Sequence, residues 1–245
     1  MSVLPYIEQK SLADQYVGGG WTGTFRPEPP RYGSTVNLPV TRTQVATYTC
    51  PSDSITARSN LMNGVTFHNY VGNFGNTTDG RTSPYGTDSS GKPNVYGGAP
   101  FVGMTVAVAQ MLPQNVPPFV RLSDIFDGLS NTLLFSETVQ GRGGDLRGFA
   151  WWEGGCHFET YLPPNSAEPD RLQSAAYCKM NEPMNPPCTV ASNVYAQCIA
   201  ARSRHVGGVG VSFCDGSVRF ISNNIALDTW RWLGTSAGKE TLGEF

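Results

Sequence analysis

The sequence predicts an α+β fold: one short N-terminal helix, an antiparallel β-sheet, long loops and a C-terminal β-hairpin. Three observations carry that expectation. Apolar and polar residues alternate on both sides of Asp215-Gly216, and an Asp-Gly pair between two such runs is a strong hairpin signal. Strand-like runs recur upstream, at residues 64–74 and 132–137. The chain has 28 Gly and 18 Pro yet remains 39% hydrophobic, which points to ordered, loop-rich β structure rather than disorder.

Taken in order, residues 3–17 form the predicted helix. Val3, Tyr6, Ile7, Ala13 and Val17 share a broad arc that Lys10 and Asp14 interrupt; Pro5 suits a first turn and Gly18-Gly19-Gly20 a stop. Residues 21–40 read as an extended loop anchored by Trp21 and Phe25. Residues 44–50 read as a short strand ended by the turn cluster Pro51-Ser52-Asp53, with a ligand-binding Asp53 as the alternative. A strand at 64–74 precedes a polar excursion over 75–100, a long loop of the kind that often carries function. Residues 132–137 read as a buried strand. Residues 149–153 read as another, on which the adjacent Trp151 and Trp152 point to opposite faces, one packed and the other open to a partner or sugar. Residues 160–200, with clustered Pro, read as an irregular cross-linked loop.

The hairpin is the best defined element. A two-residue type I′ turn at Asp215-Gly216 sets Cys214 against Ser217, Phe213 against Val218, Ser212 against Arg219 and Val211 against Phe220. Val211, Phe213, Val218 and Phe220 then form the buried face. Asp228 reads as the N-cap of a one-turn helix running through Trp230 and Leu233 to Gly234.

Composition excludes some classes of function. The 245 residues suit a single domain spanning 1–245, with 1–17 helical and 18–245 a β-rich head. Charged residues are 15% of the chain and the formal net charge is -2, so no basic patch speaks for nucleic acid. No run of about 18 apolar residues is present to cross a membrane. The six cysteines fit an oxidising compartment, and at least one disulfide is expected among Cys156, Cys178, Cys188 and Cys198, where a Pro-rich segment gains most from loop closure.

Candidate chemistry is sparse. Asp124, Asp127 and Glu137 form an acidic group near a glycine turn, hard oxygen donors of the kind that suit Ca2+; in the simpler reading Asp124 caps a helical turn that Asp127-Gly128 closes. His205 and Asp215 are ten residues apart, about 33 Å along a continuous strand, so their spacing makes no catalytic dyad. A structural His205, tying the start of the strand to a loop carbonyl, leads over metal ligation and catalysis. No Gly-x-Ser-x-Gly elbow occurs. These readings predict no enzyme and no required cofactor.

His205, nine intervening residues and Asp215-Gly216 match an H-x9-DG signature. Leu4-Pro5-Tyr6-Ile7-Glu8-Gln9, Cys50-Pro51-Ser52-Asp53, Asn69-Tyr70-Val71-Gly72-Asn73, Asp124 to Thr132, Leu162-Pro163-Pro164-Asn165 and Trp230 to Gly234 match further blocks in the same order. On these residues the chain resembles a large family of secreted, pseudopilin-like proteins found mainly in planctomycete bacteria, the domain of unknown function 1559, which also carries a solute-binding label. The resemblance implies a pilin-like fold, an extracytoplasmic place in the periplasm or at the cell surface, and a hydrophobic helix upstream of Leu4 that is truncated or processed here. It implies self-association through that helix, other pilin-like subunits as partners, and membrane contact only through it. The function expected is that of a non-enzymatic structural subunit of a surface filament or pseudopilin assembly. The alternative is a surface-anchored binding module for glycans or small solutes, with the exposed Trp and the loops over 75–118 as its site.

Overall fold

The computed structural model describes residues 3–18, 30–53, 58–59, 63–101 and 120–240; Trp21, Phe25, Gly19, Gly20 and the 102–118 part of the long loop lie outside the described residues. The fold is α+β. Its centre is a five-stranded sheet in the order β3-β1-β2-β6-β7, built from β1 (Tyr70–Asn73), β2 (Leu133–Glu137), β3 (His157–Phe158), β6 (Gly208–Phe213) and β7 (Val218–Ser222). All neighbours are antiparallel except β1 and β3. A smaller parallel pair joins β4 (Asp170–Leu172) to β5 (Cys188–Val190).

One face of the large sheet makes the main core. Val71, Leu133, Phe158, Val209, Val211, Phe213 and Ile221 pack there against Trp230 and Leu233 of the C-terminal helix α3 (Leu227–Leu233). Trp230 is fully buried, and its indole N–H donates to the Leu162 carbonyl at 2.9 Å, so a large ring enters the core with its one polar atom satisfied. Gly234 follows the helix as expected. The N-cap, however, is Ala226; Asp228 lies inside the first turn and accepts the Ser89 backbone N–H at 3.2 Å.

The hairpin forms, but one residue out of the expected register. Ser212 pairs with Val218, Val211 with Arg219, Gly210 with Phe220 and Val209 with Ile221. The Phe213 N–H donates to the Ser217 carbonyl and the Gly216 N–H to the Phe213 carbonyl, which closes a three-residue loop, Cys214-Asp215-Gly216, with Gly216 at φ 86° in its last position. A slip of one residue turns every side chain of β7 to the other face. Ile221 is therefore buried, while Val218 and Phe220 are 76% and 57% exposed. Arg219 shares the inner face and lies over the Phe213 ring.

The N-terminal region is two short helices rather than one. A 3-10 turn (Leu4–Ile7) and α1 (Lys10–Gln15) are separated at Glu8, whose φ of 61° ends the first. The break changes which side faces inward: Leu4 and Leu12 are buried with Val40 and Val45, whereas Val3, Tyr6 and Val17 are exposed. Val40 belongs to α2 (Leu38–Thr41). Lys10 and Asp14, the charges within the expected arc, pair in solvent at 2.7 Å. Among the described residues no helix is long and apolar enough to cross a membrane.

Two expected strands are turns. Residues 44–50 contain a 3-10 turn (Ala46–Tyr48), because the Val45 N–H goes to His68 Nε2 and the Cys50 N–H to Asn69 Oδ1, leaving no free ladder for a partner strand. Residues 149–155 curl through local bonds, Phe149 to Leu146, Trp152 to Phe149 and Gly155 to Trp152. Residues 160–200 are more ordered than an irregular loop, since they contain β4 and β5. Their disulfide is Cys178–Cys188; Cys156 and Cys198 are free thiols, as are Cys50 and Cys214.

A buried ionic network ties this region to the rest. The Arg147 guanidinium bonds Asp145 at 2.8 Å and Asp170 at 2.9 Å, and Arg202 bonds the same Asp170 at 2.8 Å. Two cations and two anions, all nearly inaccessible, balance in charge, and Arg202 gives further N–H groups to the Ser166 and Glu168 carbonyls.

Candidate functional site

His205 does not stand on a strand. It sits in the turn before β6, and its Nε2 lies 3.1 Å from Glu137 Oε1 at the end of β2 and 3.5 Å from Cys50 Sγ. Three segments far apart in sequence thus meet at one imidazole nitrogen. The partner is a buried carboxylate, not the loop carbonyl expected.

The other oxygen of Glu137 accepts the Gly210 N–H at 2.6 Å, and a Cβ at position 210 would stand 3.2 Å from that oxygen, so glycine lets the carboxylate approach the strand. The Glu137 carbonyl accepts the Arg202 N–H. Behind the cluster lies a buried polar frame. Asn69 accepts from the Cys50 N–H and the Gln140 side chain, and donates to Asp53 and to the Thr138 carbonyl, so all its bonding capacity is used. Asp53 also accepts the Gln140 N–H at 2.8 Å and Arg204 Nε at 3.2 Å.

This arrangement is not wired for nucleophilic catalysis. In a relay the acid holds one imidazole nitrogen while the nucleophile meets the other; here Glu137 and Cys50 share Nε2. Burial raises the Cys50 pKa, a backbone hydrogen bond at Ser52 opposes it, and Glu137 raises it further. Cys50 is accordingly a protonated thiol at neutral pH, the opposite of an activated one. The three donors do converge closely enough to hold a metal ion. Each of Glu137's oxygens, however, already has a partner within the chain.

The remaining predicted residues take separate places. Asp215 is exposed and accepts the Ser217 N–H at 2.8 Å, while its own N–H reaches the Leu129 carbonyl; with Gly216 it shapes the hairpin loop, away from His205's partners. Asp124 is the last residue of a 3-10 turn (Leu122–Asp124) and accepts the Arg121 N–H at 2.9 Å, so it closes that turn from within rather than capping it from outside. Asp127 accepts from Thr235, Gly238 and Lys239, clamping the C-terminal segment. The three carboxylates offered for Ca2+ thus bond to three different parts of the fold, and neither Asp124 nor Asp127 belongs to a ligand cluster among the described residues. Trp151 and Trp152 are both half-buried on one apolar cluster: Trp151 donates to Thr66 at 3.3 Å and Trp152 meets Tyr177 edge-on at 5.8 Å.

Sequence reasoning missed a second convergence, Asp79, His157 and Glu159, all buried. His157 and Glu159 alternate along an extended segment and so share a face, a signal that was available. Asp79 comes from a distant turn and carried none.

The family model described as "Protein of unknown function (DUF1559)", under the short label SBP_bac_10, matches residues 1–228. No curated protein and no solved structure matches.

Proposed function

Because the chain belongs to the DUF1559 family of unknown function, we propose that it is a non-enzymatic structural subunit: the head of an exported, pilin-like protein of a surface filament or pseudopilin assembly. The observation that carries this reading is the use made of the signature histidine, which holds Glu137 and Cys50 on one nitrogen and so locks three chain segments together. Other residues of the matching blocks work the same way. Asn73 donates to the Leu133 and Gly234 carbonyls, Asn165 to the Gly208 carbonyl and to Asn223, and Trp230 to the Leu162 carbonyl. A family pattern built from internal splints suits a protein selected for a rigid head. The Cys178–Cys188 bridge fits assembly outside the cytoplasm.

Assembly would run through a hydrophobic helix ahead of Leu4, as the resemblance to pilins implies. Immunogold electron microscopy of source cells and their sheared surface material, with antibody against this chain, tests it. Periodic labelling along filaments is the expected result; diffuse envelope labelling without filaments would overturn the filament reading. That outcome would favour a surface-anchored binding module for glycans or small solutes, a reading that the family's solute-binding label and the half-exposed Trp152 beside Tyr177 support. Ligand-dependent quenching of tryptophan fluorescence would then identify the solute.

A further inference from the structure

His157, Glu159 and Asp79 meet in the interior, each offering an atom within 4.8 Å of the others. The protonation pattern there is fixed by chemistry. His157 Nδ1 lies 2.6 Å from the Glu153 carbonyl oxygen, which only accepts, so Nδ1 carries the ring proton and Nε2 presents a lone pair. Glu159 Oε1 stands 3.3 Å from that Nε2 without forming a hydrogen bond. Asp79 Oδ1 also has no hydrogen-bond partner, and all three side chains are cut off from water.

Three electron-rich atoms facing one another in a dry interior is a costly arrangement unless something positive lies among them. A single proton can join Glu159 to His157. It leaves Asp79 Oδ1 unmatched; a divalent cation would satisfy all three and cancel the charge of the two carboxylates.

We propose that Asp79, His157 and Glu159 form a buried structural site for a divalent transition-metal ion of the zinc type. One imidazole nitrogen and two carboxylate oxygens are a donor set that zinc accepts, while the mixture of nitrogen and oxygen disfavours calcium. The surroundings are those of ligands held in place. The Glu153 carbonyl orients the imidazole through its far nitrogen, Phe74 stacks on the ring at 4.7 Å, and the Ile199 N–H holds the second oxygen of Glu159 at 2.7 Å. The Gln197 amide donates to the Gly154 carbonyl and, at 3.3 Å, to His157 Nε2, a long hydrogen bond that the ion would displace. The ion would join the β3 segment to the turn at Asp79, a role distinct from that of His205.

The test begins with wild-type protein stripped by chelator and titrated with Zn2+ by calorimetry, alongside melting curves and elemental analysis. The expected result is about one tightly held Zn2+ per chain and a raised Tm. Asp79→Asn and Glu159→Gln should each abolish tight binding, and Cys50→Ala should keep it. Co2+ substitution of the wild type decides the matter without relying on variants that fail to fold. The proposed donors give a Co2+ visible spectrum without a sulfur-to-metal charge-transfer band. Absence of tight binding by the wild type would overturn the proposal. So would a thiolate charge-transfer band, or binding lost in Cys50→Ala and kept in Glu159→Gln, the second of which would move the metal to the cluster at His205.

Discussion

Glu137 holds His205 with one carboxylate oxygen, at 3.1 Å, and the backbone of β6 with the other, at 2.6 Å. The strand-end carboxylate is therefore the joint between His205 and the sheet. Removing the imidazole leaves a buried anion one partner short, which costs about 1–2 kcal/mol. His205→Ala should lower Tm by roughly 2–8 °C in a domain of this size. His205→Gln, which keeps a donor, should lose less. Differential scanning calorimetry checks both; an unchanged Tm in His205→Ala would mean that the histidine is held for a ligand rather than for the fold.

The hairpin loop gives a second test. Gly216 has φ 86°, and a Cβ there would meet nothing within 4 Å. Gly216→Ala should therefore be destabilising by the left-handed backbone conformation alone, about 1–2 kcal/mol, and Gly216→Asn by less. Urea unfolding curves with equal m-values would show that the change lies in stability and not in the hairpin's register. An Ala variant as stable as wild type would contradict the positive φ at Gly216.

That loop also marks how far the sequence was legible. Asp215-Gly216 announces a hairpin, but two- and three-residue loops both place glycine at positive φ, so local sequence does not choose the register. Tertiary packing chose it, by burying Ile221 opposite Val209 and leaving Val218 and Phe220 outside. The β2 strand was legible because its apolar run is continuous and central. Residues 44–50 were not, since their donors are taken by His68 and Asn69, side chains about twenty positions away. For the same reason the partner of His205 was out of reach: Cys50 lies 155 residues earlier. His205 and Asp215 make separate contacts, the first to Glu137 and Cys50 and the second to the Ser217 N–H of the hairpin loop.

Asp170 binds two buried guanidinium groups, those of Arg147 and Arg202. Asp170→Ala would leave two cations in the interior with one counter-charge, Asp145. Breaking a buried pair in this way costs about 3–5 kcal/mol. Asp170→Asn should be milder, because the amide oxygen still accepts. The expected outcome is a Tm loss well beyond that of His205→Ala and early proteolysis around β4 and β5. Limited proteolysis read by mass spectrometry measures it, and a wild-type digestion pattern would show that the network contributes little.

His68 sets the response to acid. It is 1% exposed, its Nε2 accepts the Val45 N–H at 3.1 Å, and burial lowers its pKa to about 4 from the ordinary 6.5. The folded protein thus keeps His68 neutral in a range where the unfolded chain protonates it. The resulting stability is fully present above pH 6.5 and is lost as pH falls toward 4, by about 3 kcal/mol over the interval. His68→Gln supplies an acceptor that does not titrate here. At pH 7 the variant should be the less stable, having lost the ring's packing against Tyr48 and Trp151. Near pH 4.5 the gap should close or reverse, since only the wild type then bears the cost of a neutral buried imidazole. Urea unfolding at the two pH values measures both differences, and a gap that stays constant would show that His68 is protonated in the folded state.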